Sequence, residues 1–396
     1  MSFAEILRGL AVQRGLAMPL AQHPEPLAAL DYDVELALKL EALAAFWREQ
    51  RLSGRPETVV AAPVPRAYRS TSKRRAVLGA HGLALTFPGA ATLARGHSPS
   101  ALDLPEHGAV YAFLVERLAR PPMRALAAEL NWAIVRGSAP ALTLILNLRA
   151  FDARIVRAGK QLAEAVQEAP LGVRAGFLYL DPSGSDYYLE ARRPEGMLSF
   201  KRLFGPDWLQ VQVEGVRLRF PPTVFSQVNG AMLGVMTASA RSLLAPLEDR
   251  ALLDLYCGYG LFSLTVGRDA AHVLGVDFDG SAIAAARANA AFLRCAQRVR
   301  FVAGAIAGGF LARSVRPARA PEVVLLDPPR QGTAPDVAPA LAARAPERVV
   351  HICCGTDEIP REVATWSRAN YRLQRAVPID LFAGTANLET LLLLTR

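Results

Sequence analysis

A thiol and two carboxylates stand at the ends of short apolar runs in the C-terminal half of the chain. The run at 349–352 delivers Cys353 and Cys354, the run at 323–326 delivers Asp327, and Glu389 directly precedes the run at 391–394. A thiolate adds to electron-poor carbon, and a carboxylate takes the proton that such an addition must later release. Brief apolar runs bounded by glycine or proline read as buried strands, so each group is expected at a strand end. In open α/β sheets ligands bind beyond the carboxyl ends of the strands. Pro328 and Pro329 fix the backbone as it leaves the sheet after Asp327. Cysteine on a buried strand is ordinarily an inert small hydrophobe; Cys354 differs in standing beside Gly355, at the ligand edge.

These groups need a sheet to hold them and a pocket beside it. Residues 251–265 read A-L-L-D-L-Y-C-G-Y-G-L-F-S-L-T, which predicts a strand over 252–255, a turn through Gly258 and Gly260, and a helix from 261. Glycine lets a ligand approach the backbone, and a helix start offers unpaired N–H groups. The spacing is G-x-G, without the Lys-Ser/Thr of a phosphate-gripping loop. A second strand, 273–277, ends in Asp277 about 20 residues further on, where an acidic residue commonly accepts from a ribose hydroxyl pair. Turn and carboxylate together point to an adenosine-type cofactor. Ser281 is expected to cap a helix over 282–293.

The length of 396 residues predicts two or three domains, and 52% hydrophobic residues are ample for real cores and exclude a disordered chain. No apolar run approaches the roughly 18 residues that span a bilayer. Glu5, Arg8 and Arg14 interrupt what would be a signal peptide's apolar core, so a cytoplasmic monomer with no membrane partner is expected. The four cysteines, Cys257, Cys295, Cys353 and Cys354, contain no C-x-x-C pair. Reduced thiols are therefore expected, and no zinc or iron–sulfur site.

A helical segment is expected over 1–52, with an exposed docking helix at 34–47. A central α/β region over 53–220 follows, with strands 142–148 and 173–180 around a helix 153–168. Residues 221–396 alternate strand and helix, opening with Gln227 and Asn229 ahead of a helix at 231–244. The net charge of +9 favours a polyanionic partner. Arg66, Arg69, Lys73, Arg74 and Arg75 crowd around Tyr68, a pattern that suits backbone contacts and stacking with RNA, although a solvated charged loop has the same composition. Arg192, Arg193, Lys201 and Arg202 form a second basic cluster.

Taken in order, several motifs resemble the RNA 5-methyluridine methyltransferases, which use S-adenosylmethionine to methylate uracil C5. They are Q-V-N at 227–229, D-L-Y-C-G-Y-G at 254–260, the strand ending in Asp277, D-P-P-R-Q-G at 327–332, the cysteine strand, and Thr385 four residues before Glu389. The resemblance covers 221–396 well and 53–220 loosely, mainly through Y-R-x-x-x-K-R at 68–74. It implies a Rossmann-like, class I α/β domain with a mixed seven-stranded sheet, S-adenosylmethionine as cofactor, and tRNA or rRNA as partner. Residue by residue, it implies that Gln227, Tyr256, Gly258, Gly260, Asp277 and Asp327 line the cofactor site. Cys354 matches the nucleophile and Glu389 the proton acceptor, while Arg330 and the basic stretch would contact RNA. The sequence departs from the family where Gly355 and Thr356 replace Asn and Pro after the nucleophile. It departs again where A-G-T-A-N at 383–387 replaces P-H-T-x-H, and where Leu261 replaces an Asn that often contacts the cofactor. Neither the accessory β-barrel nor the cysteine-ligated iron–sulfur cluster of some members is apparent.

The implied chemistry needs these residue types. Uracil C5 is a poor nucleophile until a thiolate adds to C6 and raises its electron density. The methylated C5 still carries a proton that a base must remove before the thiol departs, and the uridine must leave its stack to enter the pocket. Two alternatives stand beside this reading. A base amino-methyltransferase often has an aromatic residue after D/N-P-P, where this chain has Arg330, and needs no cysteine. A catalytically silent RNA-binding relative would not need both Cys354 and Glu389.

Overall fold

The structure is a computed structural model that describes residues 1–17, 23–79, 82–87, 95–181 and 199–396. Arg192 and Arg193 lie outside the described residues. The central region forms a seven-stranded sheet from β1 (Thr71–Gly79), β2 (Gly82–Thr86), β3 (Gly96–His97), β4 (Leu130–Arg136), β5 (Leu142–Leu148), β6 (Val173–Leu180) and β7 (Ser199–Phe204), in the order β3-β2-β1-β4-β5-β6-β7. β5 and β6 are parallel and joined by the helix Ala153–Glu168, all three as expected from their periodicity. A hairpin of β8 (Leu209–Val213) and β9 (Val216–Phe220) sends Leu209, Val213, Leu218 and Phe220 into the C-terminal core.

Lys73, Arg74 and Arg75 lie on a strand and not in a loop, while Arg66 and Arg69 precede it. Residues 71–79 pair antiparallel with both β2 and β4. A strand this polar is held because its buried groups are satisfied. Ser72 Oγ lies 2.8 Å from His107 Nδ1 and 2.7 Å from Tyr111 Oη, and Arg74 pairs with Asp103 at 2.7 Å. Buried polar groups with partners cost far less than orphaned ones.

The C-terminal sheet is built from β10 (Ala251–Leu255), β11 (His272–Asp277), β12 (Val299–Ala303), β13 (Glu322–Leu326), β14 (Arg348–Cys353), β15 (Arg372–Ile379) and β16 (Glu389–Thr395). Its order is β12-β11-β10-β13-β14-β16-β15, with the first five parallel and β16 antiparallel to both neighbours. β10 and β13 are buried along their whole length, as the unbroken apolar runs of a two-sided parallel sheet require. Strand order reverses between β10 and β13, which makes a crevice at their carboxyl ends. The helix after β11 is Gly280–Phe292, and Asp279, not Ser281, caps it by accepting from the Ser281 N–H. Glu389 is the first residue of β16 and not the residue before the strand.

The N-terminal helices α1 (Phe3–Gln13) and α2 (Tyr32–Glu49) are not an exposed docking element. Phe3, Leu7, Leu38 and Phe46 are buried against Cys353, Ile359, Leu388 and Leu392 of the C-terminal sheet and its loops. α2 carries Glu35 and Lys39 on that buried face, which hydropathy reads as solvent-facing. Both are fully buried, and Lys39 Nζ lies 2.7 Å from Glu35 and 2.7 Å from Asp380. Residues 57–60 then run along β15, where the Glu57 N–H donates to Ala376 O and the Val60 N–H to Pro378 O. No helix among the described residues is long and apolar enough to cross a membrane.

Candidate active site

Side chains alternate along strands, so the register decides which groups meet. Cys353 pairs with Thr390 across β14 and β16, and Glu389 pairs with Ile379. Cys354 and Glu389 therefore emerge together at the edge where β13 delivers Asp327. An oxygen of each carboxylate and the sulfur of Cys354 lie within 4.8 Å of one another. Cys354 Sγ is 3.4 Å from Pro328 O and 3.9 Å from Asp327 Oδ1, so its S–H has two acceptors. Gln227 Nε2 donates to Asp327 Oδ2 at 3.4 Å. Glu389 is fully buried, and neither of its oxygens has a hydrogen-bond partner among the described residues.

Burial sets the charge state of this cluster. It pushes the Glu389 carboxyl well above the ordinary carboxylate range, and the Asp327 charge adds to the rise. Burial raises Asp327 as well, against the pull of the Gln227 hydrogen bond. The Cys354 thiol is raised by burial and then by both carboxylates. Each of the three groups holds its proton more tightly than in water, so either carboxyl, once ionised, is a stronger base than a free carboxylate. At this spacing the two carboxyls and the thiol can exchange protons with a group bound between them.

The glycine turn is shaped on one side only. Tyr256, Gly258 and Gly260 have φ of +63°, +53° and +90°. A Cβ at Gly260 would meet Leu264 at 3.0 Å and Phe301 at 3.1 Å, so this glycine lets the following helix pack on the sheet. A Cβ at Gly258 would meet nothing within 4 Å, so there the backbone is open to a ligand. Asp277 turns back to this loop, accepting from the Gly258 N–H at 2.9 Å and the Asp279 N–H at 2.8 Å. Tyr256, at the end of β10, is half-buried, and Gln227 is buried. Leu261 is 6% exposed and packs into the core.

The basic residues divide. Arg66 donates to the carbonyls of Ala28, Leu27 and Leu30 and pairs with Glu35 at 2.9 Å. Arg69 pairs with Glu25 at 2.9 Å. Arg74 is 2% exposed, with its guanidinium 4.0 Å from the Phe87 ring centre. Tyr68 is buried and donates to Ala383 O at 2.8 Å. Their hydrogen-bonding capacity is turned inward, away from the RNA contacts expected of Arg66, Arg69 and Arg74 and the stacking expected of Tyr68. Lys73 and Arg75 both lie over the Trp132 ring, at 4.8 and 5.6 Å. Arg330 is exposed, and its charge is near enough to lower Glu389 and Glu358.

Two further residues shape the site. Asp254, in the middle of β10, is fully buried, accepts from Ser263, and is pushed up to about 7 chiefly by burial. A carboxylate inside an apolar run was its signal. Arg136, at the end of β4, is 1% exposed and donates to Pro222 O, Val224 O and Ser226 Oγ, which fixes the approach to Gln227. Nothing local in the sequence marks that long-range contact.

Strand order 3-2-1-4-5-7-6 with the seventh strand antiparallel, together with this edge, defines a class I methyltransferase fold. The family model described as tRNA (uracil-5-)-methyltransferase matches residues 186–396, and the chain belongs to that family. A 23S rRNA (uracil(1939)-C(5))-methyltransferase RlmD from Acidithiobacillus ferrooxidans is 37% identical over 184 residues, covering 46% of this chain and 41% of that protein. The corresponding protein of Marinomonas posidonica is 34% identical over 188 residues, covering 46% and 41%. The matched region thus spans less than half the length of these relatives. Among solved structures, the Pyrococcus abyssi tRNA (uracil-54, C5)-methyltransferase in complex with S-adenosyl-L-homocysteine superimposes with a TM-score of 0.64. It shares 18% identity over 93% of this chain and 85% of that one, a likeness of fold.

Proposed function

We propose that the chain is an S-adenosylmethionine-dependent RNA methyltransferase that places a methyl group on C5 of a uridine through a covalent cysteine adduct. The observation that carries this reading is the gathering of Cys354, Asp327 and Glu389 within 4.8 Å at the carboxyl edge of the sheet. In this reading Cys354 passes its proton to Asp327 and its sulfur bonds to uracil C6. The C5–C6 double bond opens, and its electron pair is held as an enolate over C5 and O4. S-adenosylmethionine supplies the methyl group that C5 takes up. Glu389 removes the C5 proton, the double bond forms again, and the sulfur leaves with the bonding pair, to regain its proton from Asp327. Gly258 leaves room for the cofactor, Asp277 is the acceptor for its ribose hydroxyls, and Gln227 orients Asp327. Arg330, beside Glu389 and exposed, takes a phosphate of the RNA. The named relatives act on rRNA or tRNA, and a folded RNA is the substrate class that this reading assigns.

The test is mechanism-based trapping. RNA from cells lacking the enzyme, labelled with 5-fluorouridine, replaces the C5 proton by fluorine, so the adduct cannot break down. A protein–RNA band that survives denaturing electrophoresis is expected only with S-adenosylmethionine present. No band with the unaltered protein, while methyl transfer to ordinary RNA proceeds, would overturn the covalent route.

A further inference from the structure

Strand alternation sends neighbouring residues to opposite faces. Cys354 and Glu389 turn to the reaction edge, so Cys353 and Leu388 turn away from it. Both of these are fully buried in the cluster built by Phe3 and Leu7 of α1 and Leu38 and Phe46 of α2. The two loops that carry the catalytic groups are also tied to these helices by polar bonds. After Cys354, the Asp357 carboxylate accepts from the Phe3 N–H at 2.7 Å, in the first turn of α1, where amides have no acceptor inside the helix. Before Glu389, the Gly384 N–H donates to Glu35 Oε1 at 2.6 Å, and the Leu27 N–H donates to Gly384 O at 3.0 Å. Lys39 and Tyr32 of α2 hold Asp380 at 2.7 and 3.0 Å. These are the two loops in which the sequence departs from the family pattern at 355–356 and 383–387.

We infer that the N-terminal helix pair is a brace that sets the nucleophile against the base, with Asp357 and Glu35 as positioning residues. The inference rests on the uracil-C5 reading. Neither residue touches the reacting atoms. Asp357 fixes the turn that aims the Cys354 sulfur, and Glu35 fixes the loop from which Glu389 enters β16. A misplacement of about 1 Å in such a pair costs on the order of 100-fold in rate, so modest loosening is measurable.

The two ties act on different steps, and this separates them from a general loss of structure. Asp357 is exposed, so Asp357→Ala is expected to leave the fold intact. Its adduct formation with 5-fluorouridine RNA is expected to slow about 10-fold, at unchanged S-adenosylmethionine affinity, as expected for lost orientation. Asp357→Asn keeps an oxygen for the Phe3 N–H and should return the rate to near that of the unaltered protein. Glu35→Ala should slow removal of the C5 proton instead, so an adduct accumulates on ordinary uridine RNA. Amide hydrogen exchange over 354–359 should quicken in Asp357→Ala alone. Unaltered protein that forms no adduct would overturn the uracil reading, and the exchange measurement would still report on the brace. Adduct formation by the unaltered protein with Asp357→Ala equally fast, or unchanged exchange over 354–359, would overturn the brace. Should Glu35→Ala not fold, the Asp357 pair decides alone.

Discussion

Cys353 faces Thr390 across the antiparallel pair β14 and β16. One step along each strand toward the same edge, in opposite chain directions, brings Cys354 beside Glu389. A parallel β16 would carry its first residue to the far end of the sheet. The reversal of one strand is therefore what makes the Cys354 thiol and the Glu389 carboxyl neighbours.

The adjacent cysteines should separate cleanly. Cys354→Ala is expected to abolish the trapped protein–RNA band. Cys353→Ala should retain the band but lose about 1 kcal/mol of stability, typical of a small buried truncation, because Cys353 is packed against α1 and α2. Denaturant midpoints and gel bands read the two effects separately. Loss of the band in Cys353→Ala alone would place the nucleophile one residue earlier.

Asp277→Ala should weaken S-adenosylmethionine binding by about 10-fold or more, since a buried carboxylate that accepts charge-assisted hydrogen bonds is removed. Calorimetric titration checks this, and unchanged affinity would take Asp277 out of the cofactor site.

Asp254 couples stability to pH. Its carboxyl, held up near 7 by burial, keeps a proton that the unfolded chain gives up near 3.8. Well below pH 3.8 both states are neutral there and the contribution is fully present. As pH rises toward 7 the unfolded state ionises first, and stability falls until the folded state ionises too. The window spans about three pKa units, on the order of 4 kcal/mol. Asp254→Asn should remove that part of the slope, so the stability difference between variant and parent changes between pH 4 and pH 7 and is flat above pH 8. Urea titrations across this range test it, and a constant difference would assign Asp254 an ordinary pKa.

Arg330 and Arg74 should behave oppositely. Arg330→Ala is expected to weaken RNA binding and lower the slope of log affinity against log salt by about 1, the signature of one lost phosphate contact. Arg74→Ala should leave that slope alone and lower the melting temperature, because it strips the buried Asp103 of its partner. Filter binding at several salt concentrations distinguishes them. A slope unchanged by Arg330→Ala would remove Arg330 from the RNA interface.

The parts of the fold that were legible in the sequence are those in which burial and hydropathy agree. β10, β13 and β14 are buried on both faces and mostly apolar, and the helix Ala153–Glu168 shows its period plainly. Legibility fails where buried polar groups find partners far away in the chain. Lys73, Arg74 and Arg75 read as a charged loop because the partners that hold β1, such as Asp103 and His107, lie outside any local window. Glu35 and Lys39 fall in the helix expected to be exposed, yet both are fully buried, bonded to Gly384 and Asp380. Cys354, Asp327 and Glu389 were each visible as strand ends. Their mutual distance depends on strand order and register, which no local pattern specifies.

The run of residues 57–60 along β15 means that the N-terminal helices are anchored on both sides of the exposed turn Ser53-Gly54-Arg55. A proteolytic nick in that turn would cut the chain without releasing either piece. The helices would remain held by the Phe3–Leu7–Leu38–Phe46 cluster and the bonds of Glu35 and Lys39, and the remainder would begin on the sheet edge. Two separately made fragments divided at this turn should therefore reassemble by complementation into one folded particle.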